Sequence, residues 1–263
     1  MHKSTLCATG STGLIGRYLS SNVEPFEGDL LNGEWVYRNN LNTFQTLIHL
    51  AGIVGEKNVL KDKEYAYRVN VEATKRIAEF IRDETNVNFL YVSSSHVYKG
   101  KSSELVEQDV IAPLNTYGLQ KATAEEALLR IFSSQLERLK IVRVFSILNL
   151  GMPKGSLGWA IENAQKAPVR FGDDIRDFLS AKQVARTIEK LAQLSFHANI
   201  VNICTGIPTS IKNSISLLLN IKDSEQLSRL YENGQSSNPV ILGNPELLKS
   251  ILDGHELKWE FLT

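Results

Sequence analysis

The sequence has no excess of charge of either sign, because 29 Lys and Arg residues are balanced by 29 Asp and Glu residues in a chain of 263. Proteins that grip nucleic acid or an anionic membrane do so through a broad positive field. A formal net charge of zero therefore argues against both partners. Any phosphate group that this protein binds must be held by local contacts.

Cysteine and long apolar runs are also scarce. The two cysteines, Cys7 and Cys204, lie far apart in segments that resemble buried strands, so they form neither a metal-ligand spacing nor a disulfide framework. The apolar run near the start is broken by glycines and lacks a small-residue cleavage site, and no run approaches the ~18 residues of a membrane span. We expect no metal site and a reducing, cytoplasmic location.

Short apolar runs alternate with amphipathic stretches along most of the chain. The runs occupy residues 5–9, 46–50, 88–93, 140–148 and 201–204, and the amphipathic stretches occupy 14–19, 65–81, 117–132 and 159–165. Continuous apolar runs are typical of parallel strands that are buried on both faces. The pattern predicts an α/β fold with a doubly wound, Rossmann-type parallel sheet, whose ligands bind beyond the carboxyl ends of the strands.

The composition of the sequence changes after residue 150, where glycine and proline cluster between Gly151 and Gly158. We expect a dinucleotide-binding core over residues 1–150. A small substrate-binding lobe should follow over 151–263, with later strands and helices that return to the core.

Three glycines, Gly10, Gly13 and Gly16, directly follow the first apolar run and precede an amphipathic stretch. In such a context Gly10 would permit a tight turn, Gly13 would let the backbone approach a pyrophosphate, and Gly16 would let a helix pack closely on the strand. The predicted dinucleotide-binding loop comprises Gly10, Ser11, Thr12, Gly13, Leu14, Ile15 and Gly16. Its ligand would be NAD or NADP.

Tyr117 and Lys121 are four residues apart and so share one face of a predicted helix. A phenol with a pKa near 10 is a poor base at neutral pH, and a neighbouring cation lowers that pKa. Such a pair is also common in ordinary amphipathic helices. The serines at 93–95 favour the catalytic interpretation of the pair, because they follow a buried strand at the edge where parallel sheets present catalytic groups.

These motifs together resemble the extended short-chain dehydrogenase/reductases, the NAD-dependent epimerase/dehydratase family. The glycine spacing, the Tyr-Gly-Leu-Gln-Lys segment and a serine three residues before a Val-Tyr pair carry the resemblance. It implies that Ser94 hydrogen-bonds the substrate hydroxyl or carbonyl and that Tyr117 transfers the proton. Lys121 would tune Tyr117 and contact the nicotinamide ribose. Ser93 and Ser95 remain competitors of Ser94.

The resemblance also assigns further cofactor contacts. Asp29 would accept a hydrogen bond from the adenine amino group, beside Leu30, and Asn70 would be a positioning residue near the pocket. The strip of small residues under the cofactor would be Leu50, Ala51 and Gly52.

The sequence departs from the family between Gly16 and Asp29, which only twelve residues separate. The family usually has a whole strand here, ending in the group that reads the adenosine ribose. That strand is predicted to be missing or vestigial, so NAD and NADP stay open. Arg17 and Arg38 are candidate contacts for a 2′-phosphate, and each also fits a solvated surface arginine.

On the substrate side, the segment 170–178 resembles that of nucleotide-sugar epimerases and reductases, which makes Arg176 the predicted clamp on a diphosphate. A structural ion pair of Arg176 with Asp173 or Asp177 is the alternative. Ser146 stands where the family frequently has Asn. Ser95 and His96, beside Ser94, complete the predicted substrate contacts.

The absence of two sets of catalytic residues narrows the possible reaction types. Ser95 and His96 stand where sugar dehydratases place Asp-Glu, and the cysteines lie away from the site, unlike in epimerase-reductases that use a Cys and a His. Reduction of a 4-keto sugar nucleotide, as in dTDP-4-dehydrorhamnose reductases, is favoured. A redox-neutral nucleotide-sugar 4-epimerase, a reductase of a non-sugar carbonyl and a non-enzymatic dinucleotide-sensing regulator are the alternatives, and a homodimer stays open.

Overall fold

The computed structural model describes residues 5–172, 174–234 and 240–253. The chain divides into two compact units, each discontinuous in sequence. The first comprises the chain up to Tyr98 together with Val110–Val144 and Val184–Val201, and the second comprises Lys99–Asp109, Phe145–Gln183 and the chain from Asn202. The assignment of a cofactor core to 1–150 and of a substrate lobe to 151–263 stays a prediction.

The described residues form thirteen strands. They are β1 (Leu6–Thr9), β2 (Val23–Pro25), β3 (Thr46–His49), β4 (Asn88–Ser94), β5 (Leu139–Val144), β6 (Ser146–Ile147), β7 (Val169–Phe171), β8 (Ile175–Arg176), β9 (Phe178–Leu179), β10 (Ile200–Ile203), β11 (Thr209–Ser210), β12 (Tyr231–Asn233) and β13 (Val240–Ile241).

The described residues also form ten α-helices. They are α1 (Trp35–Arg38), α2 (Glu56–Val59), α3 (Lys63–Tyr67), α4 (Thr74–Glu84), α5 (Thr116–Ile131), α6 (Leu157–Glu162), α7 (Ala181–Gln193), α8 (Ile211–Leu219), α9 (Ser224–Leu230) and α10 (Glu246–Ile251). A π-helical turn, Arg68–Ala73, joins α3 to α4. Within the described ranges, none of the helices combines the length and the hydrophobicity needed to span a bilayer.

The main sheet has six strands in the order β10-β5-β4-β3-β1-β2. Strand β1 pairs in parallel with both β2 and β3, and β3, β4 and β5 continue the parallel sheet. After β1 the chain forms β2 at one edge of the sheet and then returns to form β3 on the other side of β1. Open α/β sheets bind ligands at such a switch point, beyond the carboxyl ends of the strands. The predicted α/β fold is confirmed.

Apolar strands that are buried on both faces build the core of this sheet. Every residue of β1 and β3 is buried. On one face, Leu47, Phe89 and Ile141 pack against α4 and α5. Helix α4 supplies Ile77 and Ile81 to this core, one turn apart on the same face. The core fixes α5 beside β4, and α5 carries the predicted tyrosine and lysine.

The region after the glycine loop differs from the sequence prediction. Residues 14–19 do not form an amphipathic α-helix, because only Gly16–Tyr18 makes a 3₁₀ turn. Strand β2 already starts at Val23, so the chain between loop and strand is too short for a full helix. The strand predicted to be missing or vestigial is present in a short form of three residues, which agrees with the second of these alternatives. The apolar run 140–148 is divided between β5 and the separate strand β6.

The second unit contains three small sheets, ordered β11-β8-β13, β12-β7 and β6-β9. A buried carboxylate organises its loops. The Asp177 carboxylate accepts hydrogen bonds from the Thr205 amide at 2.8 Å, the Thr205 hydroxyl at 2.7 Å and the Gly206 amide at 2.8 Å. Gly206 has a φ of +74°, which a glycine adopts without strain.

A buried ion pair ties α5 to the sheet. The guanidinium of Arg143 on β5 lies 2.7 Å from the Glu125 carboxylate on α5, with the two side chains 3% and 5% exposed. Arg143 also donates to the Tyr98 hydroxyl at 2.7 Å. The Ser93 hydroxyl at the end of β4 donates to Glu125. This buried polar network therefore connects four segments of the first unit, namely β4, the segment with Tyr98, α5 and β5.

We expect Arg143→Met to lower the free energy of unfolding by about 3–5 kcal/mol, because it leaves the Glu125 carboxylate buried without its cation. Urea denaturation measures this. The double variant Glu125→Leu/Arg143→Met should recover much of the loss, since no charge is then buried alone. Arg130→Met, which breaks the exposed pair with Glu126 on the same helix, is the control and should change stability little. If Arg143→Met is as stable as Arg130→Met, the buried ion pair does not contribute to stability as proposed.

Candidate active site

The glycine loop begins directly after β1. Gly10 has a φ of +68°, and the Gly13 amide donates to the Gly10 carbonyl at 3.0 Å. A Cβ atom at Gly10 would lie 2.7 Å from the Ala51 nitrogen, and one at Gly16 would lie 2.2 Å from the Gly10 oxygen. The loop itself therefore requires both glycines. Gly16 is needed for packing within the loop and not, as predicted, for packing a helix on the strand.

Gly13 is different, because a Cβ atom there would meet only the Gly10 oxygen, at 3.1 Å, within 4 Å. The chain thus leaves a space beside Gly13 that a side chain would fill. Half-buried Ala51 and Gly52 follow β3, the strand next to β1. Small residues and exposed backbone at a switch point fit the pyrophosphate of a dinucleotide.

His49 joins the carboxyl ends of β1 and β3. Its Nδ1 lies 2.8 Å from the Thr9 hydroxyl and its Nε2 lies 2.9 Å from the Thr74 hydroxyl. The Thr9 hydroxyl also accepts from the Ala51 amide at 3.1 Å. Burial, helped by the charge of Lys121, lowers the pKa of His49 to about 3, so this imidazole is neutral and structural. No sequence motif points to a separate role for His49, although it ends an apolar run.

Asn70 connects the strip of small residues to α5. Its Oδ1 accepts from the Ile53 amide at 2.7 Å, and its Nδ2 donates to the Ile53 carbonyl at 3.0 Å and to Gln120 Oε1 at 2.8 Å. It sits in the π-helical turn between α3 and α4, and such turns are frequent at functional sites. These contacts suit the positioning role predicted for Asn70.

The structure brings Ser94, Tyr117 and Lys121 together at the carboxyl end of β4. Tyr117 is 5% exposed, Lys121 4% and Ser94 8%. The Ser94 side chain lies close enough to the Tyr117 phenol to lower its pKa against the effect of burial. Helix α5 approaches this strand end so closely that a Cβ atom at Gly118 would lie 2.2 Å from the His96 oxygen.

The three neighbouring serines have different surroundings. Ser93 is occupied by Glu125 in the buried network, whereas Ser94 contacts Tyr117 and accepts from the His96 amide at 3.3 Å. Ser95 is buried and starts the 3₁₀ turn Ser95–Val97. The geometry therefore favours Ser94 among the serines. The exposed ring of His96 lies edge-on to Tyr117, 5.5 Å between centroids.

The pKa values of the pair differ from the sequence expectation. Burial raises the pKa of Tyr117 to about 12, opposed by the hydrogen bond with Ser94. Burial lowers the pKa of Lys121 to about 8, opposed by the charge of Glu125. The Lys121 ammonium donates to the Val92 carbonyl at 2.9 Å and lies over the Tyr91 ring. Burial thus dominates the Tyr117 pKa, and the group that opposes it is Ser94 and not, as predicted, Lys121.

The predicted adenine contacts lie just beyond β2. Exposed Asp29 accepts from the Leu31 amide at 2.9 Å, which closes a turn, and Leu30 packs on the main core. Arg17 lies over the Tyr18 ring, and Arg38 pairs with Glu34 at 3.6 Å. Both arginines have surface partners, so neither decides between NAD and NADP.

Arg176 and Ser146 belong to the second unit. Arg176 pairs with Asp174 at 2.6 Å and donates to the Ile175 carbonyl at 2.9 Å. Asp174 is an acidic partner that the sequence did not suggest. Asp177 binds the Thr205 loop instead, and Asp173 lies outside the described residues. Half-buried Ser146 pairs in β6 with Phe178.

The described residues contain neither a cluster of metal ligands nor a reactive thiol. No cluster of three or more His, Cys, Asp or Glu residues there could hold a metal ion. Cys7 and Cys204 are buried free thiols. Burial raises the pKa of Cys7 to about 12 and that of Cys204 further, so neither thiol is reactive at neutral pH.

Comparison with known proteins places these features in a family. The putative UDP-glucose 4-epimerase of Methanocaldococcus jannaschii is 26% identical over 76% of this chain and 68% of its own length. The GDP-6-deoxy-D-mannose reductase of Pseudomonas aeruginosa is 25% identical over 84% and 81%. The structure of MoeE5 in complex with UDP-glucuronic acid and NAD shares the fold, with a TM-score of 0.79, 23% identity and coverage of 94% and 92%.

The sequence profile of one family matches residues 6–204, a range that runs from β1 to the residue after β10 and includes the glycine loop, Ser94, Tyr117, Lys121 and Arg176. The chain belongs to the NAD dependent epimerase/dehydratase family.

Proposed function

We propose that this protein is a cytoplasmic NAD(P)-dependent oxidoreductase that reduces the 4-keto group of a nucleotide-activated sugar. The observation that carries the proposal is the buried contact between Ser94 and Tyr117, with Lys121 one helical turn away, at the carboxyl edge of the sheet. Relatives named as a nucleotide-sugar epimerase and a reductase support the substrate class.

The cofactor would be held by the loop from Gly10 to Gly16, by Ala51 and Gly52, and by Lys121 at the ribose. When bound, a nicotinamide supplies the hydride for a carbonyl carbon. The protein's own part is to orient the carbonyl and to deliver a proton to its oxygen. Ser94 would hydrogen-bond that oxygen, and Tyr117 would give the proton.

Burial keeps the Tyr117 phenol protonated at neutral pH, which suits the role of proton donor in a reduction. A phenol with a pKa of about 12 is fully protonated at neutral pH and is ready to act as a donor. A 4-epimerase would remove a proton from the sugar hydroxyl and return it through the same phenol, so the pKa of Tyr117 does not discriminate between the two reactions. Ser94, Tyr117 and Lys121 are all present, which argues against a non-catalytic dinucleotide sensor.

The loop glycines provide a first test. Gly13→Val should abolish dinucleotide binding with little change in melting temperature, because its side chain would fill the space beside the loop. Gly16→Ala should destabilise the protein by about 1–3 kcal/mol, since its Cβ would collide with the Gly10 carbonyl. Calorimetric titration with NADH and NADPH, together with thermal melting, separates the two effects. Unchanged affinity in folded Gly13→Val would remove the loop from the cofactor site.

The proton donor is tested by Tyr117→Phe, which keeps the ring and its packing. Turnover should fall by about two to four orders of magnitude while cofactor affinity is retained, because only the transferable proton is lost. Tyr65→Phe, at a tyrosine that is 47% exposed, is the matched control and should leave turnover unchanged. Turnover of Tyr117→Phe close to that of the control would show that another group, such as His96, donates the proton.

Arg176 remains the proposed contact for the substrate diphosphate. Arg176→Ala should raise KM for a nucleotide sugar about tenfold or more and leave the cofactor Kd unchanged, since a charge-assisted contact is lost on the substrate only. Arg170→Ala, which breaks an exposed pair with Glu232 in the same unit, is the control. Equal weakening of substrate and cofactor binding would indicate that the pair with Asp174 is structural.

A further inference from the structure

Helix α2 links the strip of small residues to the start of α5. The strip Leu50–Gly52 is followed by Gly55, whose φ of +84° turns the chain into α2, Glu56–Val59. This short helix contacts Tyr117 in two ways, through the backbone and through the ring.

The backbone contact is made by a carboxylate. Glu56 Oε2 accepts from the Tyr117 amide at 2.8 Å. Burial acts to raise the pKa of Glu56, but hydrogen bonds from the Tyr117 amide and from the amide and hydroxyl of Thr116 outweigh it and lower the pKa. The carboxylate is therefore ionised at neutral pH and lies at the positive end of α5.

The ring contact is made one turn further along α2. Val59 is fully buried and packs with Ala66 and Tyr117 in a small apolar cluster, bordered by Ile53. Residues three apart on a helix share a face, so Glu56 and Val59 approach α5 together. Both the backbone and the ring of Tyr117 are thus held by one four-residue helix.

The ordinary cap of α5 does not serve the Tyr117 amide. The N-cap residue Asn115 accepts from the Gly118 amide at 2.7 Å. The first amides of a helix have no partner inside the helix and must find one elsewhere. For Tyr117 that partner comes from Glu56, which is distant in sequence.

We propose that Glu56 is a positioning residue that acts through Tyr117. Its carboxylate fixes the first turn of α5 against the segment that carries the small-residue strip, and so fixes the phenol beside Ser94. This inference rests on the proposed role of Tyr117 as proton donor. Misplacing a reacting group by about 1 Å can cost about 10²-fold in rate, so a contact that sets this position is expected to affect kcat.

Steady-state kinetics of two Glu56 variants test the proposal. Glu56→Ala should lower kcat about 10- to 100-fold, at a temperature where the protein is fully folded, with KM and cofactor Kd within about twofold of wild type. Glu56→Gln keeps an oxygen that can accept the Tyr117 amide, so it should restore most of kcat. Glu72→Ala removes an exposed glutamate from the same unit and is the control.

Three kinetic results would overturn the proposal. The first is a kcat of folded Glu56→Ala within about twofold of the control. The second is a loss in Glu56→Gln as large as in Glu56→Ala, since the retained acceptor would then be irrelevant. The third is a rise in KM or cofactor Kd that accounts for the whole defect, which would make Glu56 a binding residue.

Amide hydrogen exchange tests the same contact without turnover. The Tyr117 amide should exchange faster in Glu56→Ala than in wild type and at the wild-type rate in Glu72→Ala. Unchanged protection in Glu56→Ala would overturn the proposal. If the wild-type protein reduces no nucleotide sugar, the proposed function fails, and the exchange result still decides whether Glu56 holds Tyr117.

Discussion

The buried ion pair between Glu125 and Arg143 is the constraint on which the site in the first unit depends. An unpaired charge in the core costs several kcal/mol, so α5 must take the register in which the two side chains meet. Lys121 and Tyr117 then follow at intervals of one turn along the same face. Because Ser93 donates to the same carboxylate, the end of β4 is fixed as well, and Ser94 comes to lie beside Tyr117.

Much of this arrangement could be predicted from the sequence, since it depends on local patterns. Continuous apolar runs indicated the parallel strands, and the stretch 117–132 differs by one residue at each end from α5. The tyrosine and lysine share a helix face through their spacing alone, and the serines follow a buried strand. Topology then brings both elements to one edge of the sheet.

What could not be predicted depends on distance and burial. The stretch after Gly16 has an amphipathic pattern, yet the early start of β2 leaves room for only one 3₁₀ turn. Arg176 had several acids nearby, and the sequence did not suggest Asp174. The pKa of Tyr117 is dominated by desolvation, which residue spacing does not reveal. The contact of Glu56 with Tyr117 joins residues that no motif relates.

The central claim is that a protonated Tyr117 serves the reduction of a 4-keto sugar nucleotide. The most direct measurement mixes the protein with such a ketosugar and a reduced nicotinamide cofactor, follows the nicotinamide absorbance, and identifies the sugar product by NMR. Reduced cofactor should be consumed in an amount equal to that of the 4-hydroxy sugar nucleotide formed. Folded protein that binds the cofactor and leaves every 4-keto sugar nucleotide unreduced, or that interconverts 4-hydroxy epimers without net consumption of cofactor, would contradict it.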